Sequence, residues 1–135
     1  MKKDINPSVI KDVAVAVVKE QNELAQDEWN VYLINLQDRD LEQVLVSSKG
    51  YLKLESGEET KTTLLRHGLG NVKAQSFVKI EPIMENLFGI HNEYWVSFFQ
   101  DNELLDKKYI FLAETIKEEN FTNIPLIKKK GILIK

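Results

Sequence analysis

Trp29-Asn30-Val31-Tyr32-Leu33-Ile34-Asn35-Leu36 and Tyr94-Trp95-Val96-Ser97-Phe98-Phe99 are the two stretches whose reading decides the fold. Both are built from β-branched and aromatic residues, which suit a pleated surface better than a helix. Successive side chains on a strand point to opposite faces. Trp29, Val31 and Leu33 therefore line one face of the first stretch, and Tyr32, Ile34 and Leu36 the other. Tyr94, Val96 and Phe98 oppose Trp95, Ser97 and Phe99 in the same way. Both strands are apolar on both sides, whereas an antiparallel sheet commonly keeps one side polar. Large apolar patches are seldom left bare. Something must cover the second face: the chain's own tail, a second subunit, or another protein.

Working outward, Gln100-Asp101-Asn102-Glu103 has the chemistry of a tight turn, and Lys108–Leu112 is the returning arm of an antiparallel hairpin with Tyr94–Phe99. Val13–Val18 is valine-rich and predicts a strand, joined to Trp29–Leu36 through the polar turn Asn22–Asp27. Ile10, Val13, Ala14 and Val17 also fit helical spacing, which leaves an α+β alternative with an N-terminal helix. Gln37–Asp40 is a second turn, because Asp bonds its own backbone. Val44-Leu45-Val46 resumes as a strand ending before Gly50, so the first three segments read as a meander. Thr60–Leu65 is a strand or a short helical turn, and His67-Gly68-Leu69-Gly70-Asn71 a loop. Phe77–Glu81 is a strand stopped at Pro82, and Met84–Phe88 one helical turn closed by Gly89. Residues 1–11 are a lead-in.

Six to eight short strands at turn spacing predict an all-β antiparallel sandwich, loosely immunoglobulin-like but without the disulfide pair of antibody domains. The chain of 135 residues reads as one domain, with 120–135 as a C-terminal extension packing on the sheet. Ile124, Leu126, Ile127, Ile132, Leu133 and Ile134 make that extension too apolar to leave exposed.

Composition narrows the function classes. Apolar residues make up 43% and charged residues 29%, as in ordinary globular proteins. A net charge of −3 argues against a general nucleic-acid binder. No cysteine is present, which excludes disulfides, thiolate zinc sites and cysteine nucleophiles. The run Val13–Val18 is too short for a leader's apolar core, and no run approaches a membrane span. The expected setting is the cytoplasm.

No catalytic constellation emerges. His67 and His91 are the two histidines, and a metal site normally needs three or four spaced ligands. Both are read as solvent-facing and chemically idle. Asp38, Asp40 and Glu42, like Asp101, Glu103 and Asp106, form acidic tips without EF-hand spacing. Gly68–Asn71 matches no phosphate loop, and Ser47-Ser48-Lys49-Gly50 no serine elbow. No catalytic, metal or cofactor-binding residue is assigned, and no cofactor is expected. Lys107-Lys108 and Lys128-Lys129-Lys130 are read as lysines guarding strand edges.

Trp29–Leu36, Val44–Tyr51, Ile80–Ile83, Asn92–Phe98 and Asp106–Leu112 together resemble a family of short, uncharacterised Bacteroidetes-type bacterial proteins. The resemblance covers most of the chain and implies a shared fold, but no activity. The expectation that remains is a non-catalytic binding or assembly domain for a protein partner or a homo-oligomer. Its binding face is assigned to Trp29, Tyr32, Tyr94, Trp95 and Phe99. The rival reading is a small-molecule or enzyme pocket lined by Trp29, Trp95 and Tyr94, with His91 nearby. A weak RNA contact through the lysines is the third.

Overall fold

The computed structural model describes residues 10–135. Of the lead-in expected over residues 1–11, residues 1–9 lie outside the described part. Ten strands follow in order: β1 (Val13–Gln21), β2 (Asp27–Asn35), β3 (Leu41–Lys53), β4 (Glu59–Lys61), β5 (Leu65–Val72), β6 (Ser76–Pro82), β7 (His91–Gln100), β8 (Glu103–Phe111), β9 (Thr122–Ile124) and β10 (Lys129–Ile134). Short 3₁₀ turns lie at Glu85–Leu87 and Glu118–Asn120. The strands form two packed antiparallel sheets. Sheet A has the order β6-β2-β1-β10-β9, and sheet B has β4-β3-β7-β8, with β5 also on β3.

The order β6-β2-β1 against β3-β7-β8 reproduces the E-B-A and C-F-G neighbours of an immunoglobulin sandwich. β1 and β2 pair from Val13↔Asn35 to Gln21↔Asp27. The helical alternative for the N-terminal segment is thereby corrected. Val13 to Val18 are all buried because β1 is central in its sheet and covered on both sides. A run buried all round carries no one-sided stripe, and the stiff valines then decide for strand. β7 and β8 form the expected hairpin, from Asn92↔Phe111 to Gln100↔Glu103. Its turn holds Asp101 at φ 52° and Asn102 at φ 61°, the left-handed pair that a type I′ turn requires.

Three expectations are overturned. The first three segments are not a meander, because β3 leaves for sheet B. Asn35, fully buried, directs the crossing. Its Nδ2 donates to the carbonyls of Arg39, Val72 and Lys73 at 2.9, 3.2 and 3.0 Å, and its Oδ1 accepts from Gln37 N. β3 also runs through Gly50 instead of stopping before it. A Cβ there would lie 2.6 Å from Ile90 Cδ1 and 3.1 Å from Thr62 Cγ2, so this glycine marks crowding inside a strand. His67–Asn71 is strand and not loop: it belongs to β5, an edge strand paired with β3 through register shifts around Val44. Glycines in an irregular edge strand leave the same sequence trace as glycines in a turn.

Between the sheets lie Val13, Val15, Val17, Trp29, Val31 and Leu33 from sheet A, facing Leu41, Val44, Val46, Tyr94, Val96, Phe98, Tyr109 and Phe111 from sheet B. Tyr109 Oη donates to Val13 O at 2.7 Å and ties the layers together. A second apolar cluster sits on the outer side of sheet A. Ala14, Ala16, Val18, Ile34 and Ile124 are buried there, with Tyr32, Leu36, Leu126, Ile127 and Leu133 packed around them. The segment read as an extension is thus part of the sheet itself. β10 pairs with β1 from Val15↔Ile134 to Val18↔Gly131, and the β9–β10 connection turns Leu126 and Ile127 onto the outer side. Lys128, Lys129 and Lys130 remain exposed.

Candidate binding face

The outward positions of sheet B follow from its register. On β7 they are Glu93, Trp95, Ser97 and Phe99. Lys49, Ser47 and Leu45 flank them on β3, and Ile110, Lys108, Asp106 and Leu104 on β8. Trp95 is 44% exposed, Phe99 38%, Leu45 42% and Leu104 60%. The indole of Trp95 is anchored while its ring stays accessible. Nε1 donates to Asp106 Oδ2 at 3.0 Å, and Lys108 Nζ lies 4.7 Å from the ring centroid. An aromatic ring so held loses little side-chain freedom when a partner covers it.

The five residues assigned to a binding face do not share one. Trp95 and Phe99 lie together on the outer side of sheet B. Tyr32 is on the outer side of sheet A, with its ring 5.7 Å from that of Phe77. Tyr94 is buried between the sheets. Trp29 is buried at the end of the core, edge-on to Phe88 at 5.0 Å and Phe121 at 5.8 Å, with Nε1 donating to Glu85. The expected pocket of Trp29, Trp95, Tyr94 and His91 is dispersed for the same reason. Adjacent residues on a strand face opposite ways, so Tyr94 and Trp95 cannot line one cavity.

Both histidines, expected to face solvent, are partly buried and engaged. His91 Nδ1 accepts from Ala113 N at 2.9 Å, and its ring packs on Tyr51 at 5.6 Å. His67 belongs to a polar cluster that sequence reading missed. Glu81, on β6 of sheet A, meets three side chains of sheet B. Its Oε1 accepts from Ser48 Oγ at 2.8 Å and lies 2.7 Å from His67 Nε2, while its Oε2 accepts from Tyr94 Oη at 3.0 Å. Serine, histidine and glutamate thus come together from three strands. Nucleophilic catalysis needs the serine to reach the histidine and the histidine to reach the acid. Here the serine proton goes to the carboxylate, so the arrangement is a clamp between the sheets. Burial, followed by the charge and bond of Glu81, pushes the Tyr94 hydroxyl well above its usual range. No spacing signal could have revealed this cluster, because its members come from four separate strands.

A second carboxylate bridge sits outside sheet A. Glu20 accepts from Lys129 Nζ at 2.6 Å, from Asn30 Nδ2 at 2.8 Å and from Tyr32 Oη. Burial alone would raise its pKa, but these three donors together hold it below the usual carboxylate range.

A shallow recess of about 370 Å³ opens where the edge partner of β3 changes from β5 to β4. Lys49, Tyr51, Glu59, Lys61, Leu64 and Glu93 line it. The acidic tips serve structure: Asp40 Oδ1 accepts from Ala74 N at 2.8 Å, and Asp101 pairs with Arg39 at 3.0 Å. Among the described residues, no three His, Asp or Glu side chains gather to hold a metal ion, and no helix is long and apolar enough to cross a membrane. No protein-family model matches the chain, and no curated protein does.

Proposed function

We propose that this chain is a non-catalytic binding module that docks a protein partner, or a second copy of itself, through the outer face of sheet B. One asymmetry carries the reading. The chain covers the outer side of sheet A with its own Leu126, Ile127 and Leu133, and leaves Trp95, Phe99, Leu45 and Leu104 exposed on the outer side of sheet B. Aromatic anchors with a polar surround are the usual core of a protein interface. A cytoplasmic setting and kinship with short uncharacterised bacterial proteins belong to the same proposal, and neither adds an activity. The lysines support the RNA reading poorly: Lys108 lies over Trp95, and Lys129 is paired with Glu20.

The test is the double variant Trp95→Ala/Phe99→Ala. Sedimentation measures self-association, and capture from the native cell followed by quantitative reconstitution measures a partner. The double variant is expected to weaken the complex at least tenfold while still melting cooperatively. A complex of unchanged affinity would place the interface elsewhere.

A further inference from the structure

Among the described residues, the carboxylates of Glu20, Glu81 and Glu93 are largely buried, and they are not equally served. Glu20 receives Lys129 at 2.6 Å and Asn30 at 2.8 Å, together with Tyr32. Glu81 has partners at 2.7, 2.8 and 3.0 Å. Glu93 has only Tyr51 Oη at 3.3 Å and Lys49 Nζ at 3.9 Å, although its side chain is 8% exposed. Short charge-assisted bonds run about 2.7–2.9 Å. A buried carboxylate without them carries a desolvation cost that a donor from outside would relieve.

Glu93 faces the recess at the β3–β4 edge, whose volume of about 370 Å³ suits a small molecule. Its surroundings restrict what can enter. A plain amine would meet Glu93 but also the ammonium groups of Lys49 and Lys61. A plain anion would meet the lysines but also Glu93. Lys61 already lies 3.5 Å from Glu59, so the rim is balanced in charge. The ring of Tyr51 and the side chain of Leu64 supply an apolar wall. A molecule carrying both an ammonium and a carboxylate satisfies all of these groups at once.

We propose that this recess binds a small zwitterion of the amino-acid class, with its ammonium on Glu93 and its carboxylate between Lys49 and Lys61. The recess adjoins the protein-docking face, since Glu93 and Lys49 are outward positions of sheet B, but it needs neither Trp95 nor Phe99.

The test uses the full chain and the twenty protein amino acids, screened one by one by ligand-observed NMR. For the best binder, calorimetry then compares the amino acid with its decarboxylated amine and its deaminated acid. The expected result is saturable binding of at least one amino acid, and at least tenfold weaker binding of both one-charge analogues. Glu93→Gln is expected to weaken binding at least tenfold. Lys61→Met, at an exposed position, is expected to weaken it without unfolding the chain, which keeps the test decisive if the first variant is unstable. Absence of binding by all twenty would overturn the assignment. So would an amine or acid that binds as tightly as the amino acid, or affinity unchanged in Lys61→Met.

Discussion

Of the four glycines that sit in strands, Gly131, Gly50 and Gly68 do so for different reasons, and replacing each of these three by alanine separates those reasons. A Cβ on Gly131 would stand 2.2 Å from Val17 O and 3.1 Å from both Val17 C and Val18 Cα. All three are backbone atoms of the neighbouring strand, so the clash is relieved only if β10 moves off β1. Overpacking of this kind costs about 1–3 kcal/mol. The Val18↔Gly131 end of the ladder would be strained as well, so the upper half of that range, about 2–3 kcal/mol, is expected. Unfolding entropy near ~2.1 cal/mol/K per residue makes one kcal/mol worth about 3.5 °C in a chain of this size. Gly131→Ala should therefore melt about 7–10 °C below the parent. Gly50→Ala meets the end of the Ile90 side chain, which swings aside, and Thr62 Cγ2 at 3.1 Å. It should lose about 1 kcal/mol or less, about 3 °C. Gly68→Ala has nothing within 4 Å and no left-handed φ. It should be neutral or gain up to about 1 kcal/mol through a less flexible unfolded chain. Differential scanning calorimetry of the three variants checks the ranking. If Gly131→Ala melts with or above Gly50→Ala, β10 does not lie against β1 as described.

Further predictions concern charge. Burial is the leading cause that pushes the hydroxyls of Tyr32, Tyr51, Tyr94 and Tyr109 above their ordinary range. Their stabilising effect is complete below the unfolded value near 10 and is lost as pH rises beyond it. Absorbance of tyrosinate should then appear together with unfolding; four tyrosines ionising ahead of it in a folded chain would contradict the burial. Glu20 is held low, so it stabilises above the unfolded carboxylate value and loses that effect as pH falls through its folded value. Glu20→Gln should lower stability by about 1–3 kcal/mol at neutral pH, and the gap to the parent should shrink in acid; a gap independent of pH in urea melts would refute the role. His91→Ala leaves the Ala113 amide without its acceptor and should cost about 1–3 kcal/mol by the same measurement. Equal stability would show that the amide finds another partner.

Much of the architecture was legible because two hairpins announce themselves locally. Asp101-Asn102 and the polar Asn22–Asp27 turn lie between runs of matched alternation, and short-range pairing needs nothing further. What escaped was long-range. Nothing at Gln37–Asp40 says that the next strand joins the other sheet; that depends on Asn35 reaching Val72 and Lys73. Gly50, Gly68 and Gly70 looked like punctuation and are strand residues, because a crowded or irregular strand uses glycine as a turn does. Alternation sorted Trp95 from Tyr94 correctly, yet the binding face was assembled from residue type and mixed inward with outward positions. The Glu81 clamp and the underserved Glu93 were invisible because a carboxylate's partners are set by tertiary distance, not by spacing along the chain.

The pairing of Val17 with Ile132 also has a consequence for how the chain is made. β1 leaves the ribosome early with its hairpin partner β2 next in line, while the strand for its other side is synthesised after most of the remaining sequence. Through that interval the apolar run Val13–Val18 presents an open hydrogen-bonding edge, the feature that strand-capturing chaperones and aggregating neighbours both recognise. Sheet A is therefore a lock whose bolt arrives late, and a pause in translation before β10 prolongs that exposure even when every other strand is in place.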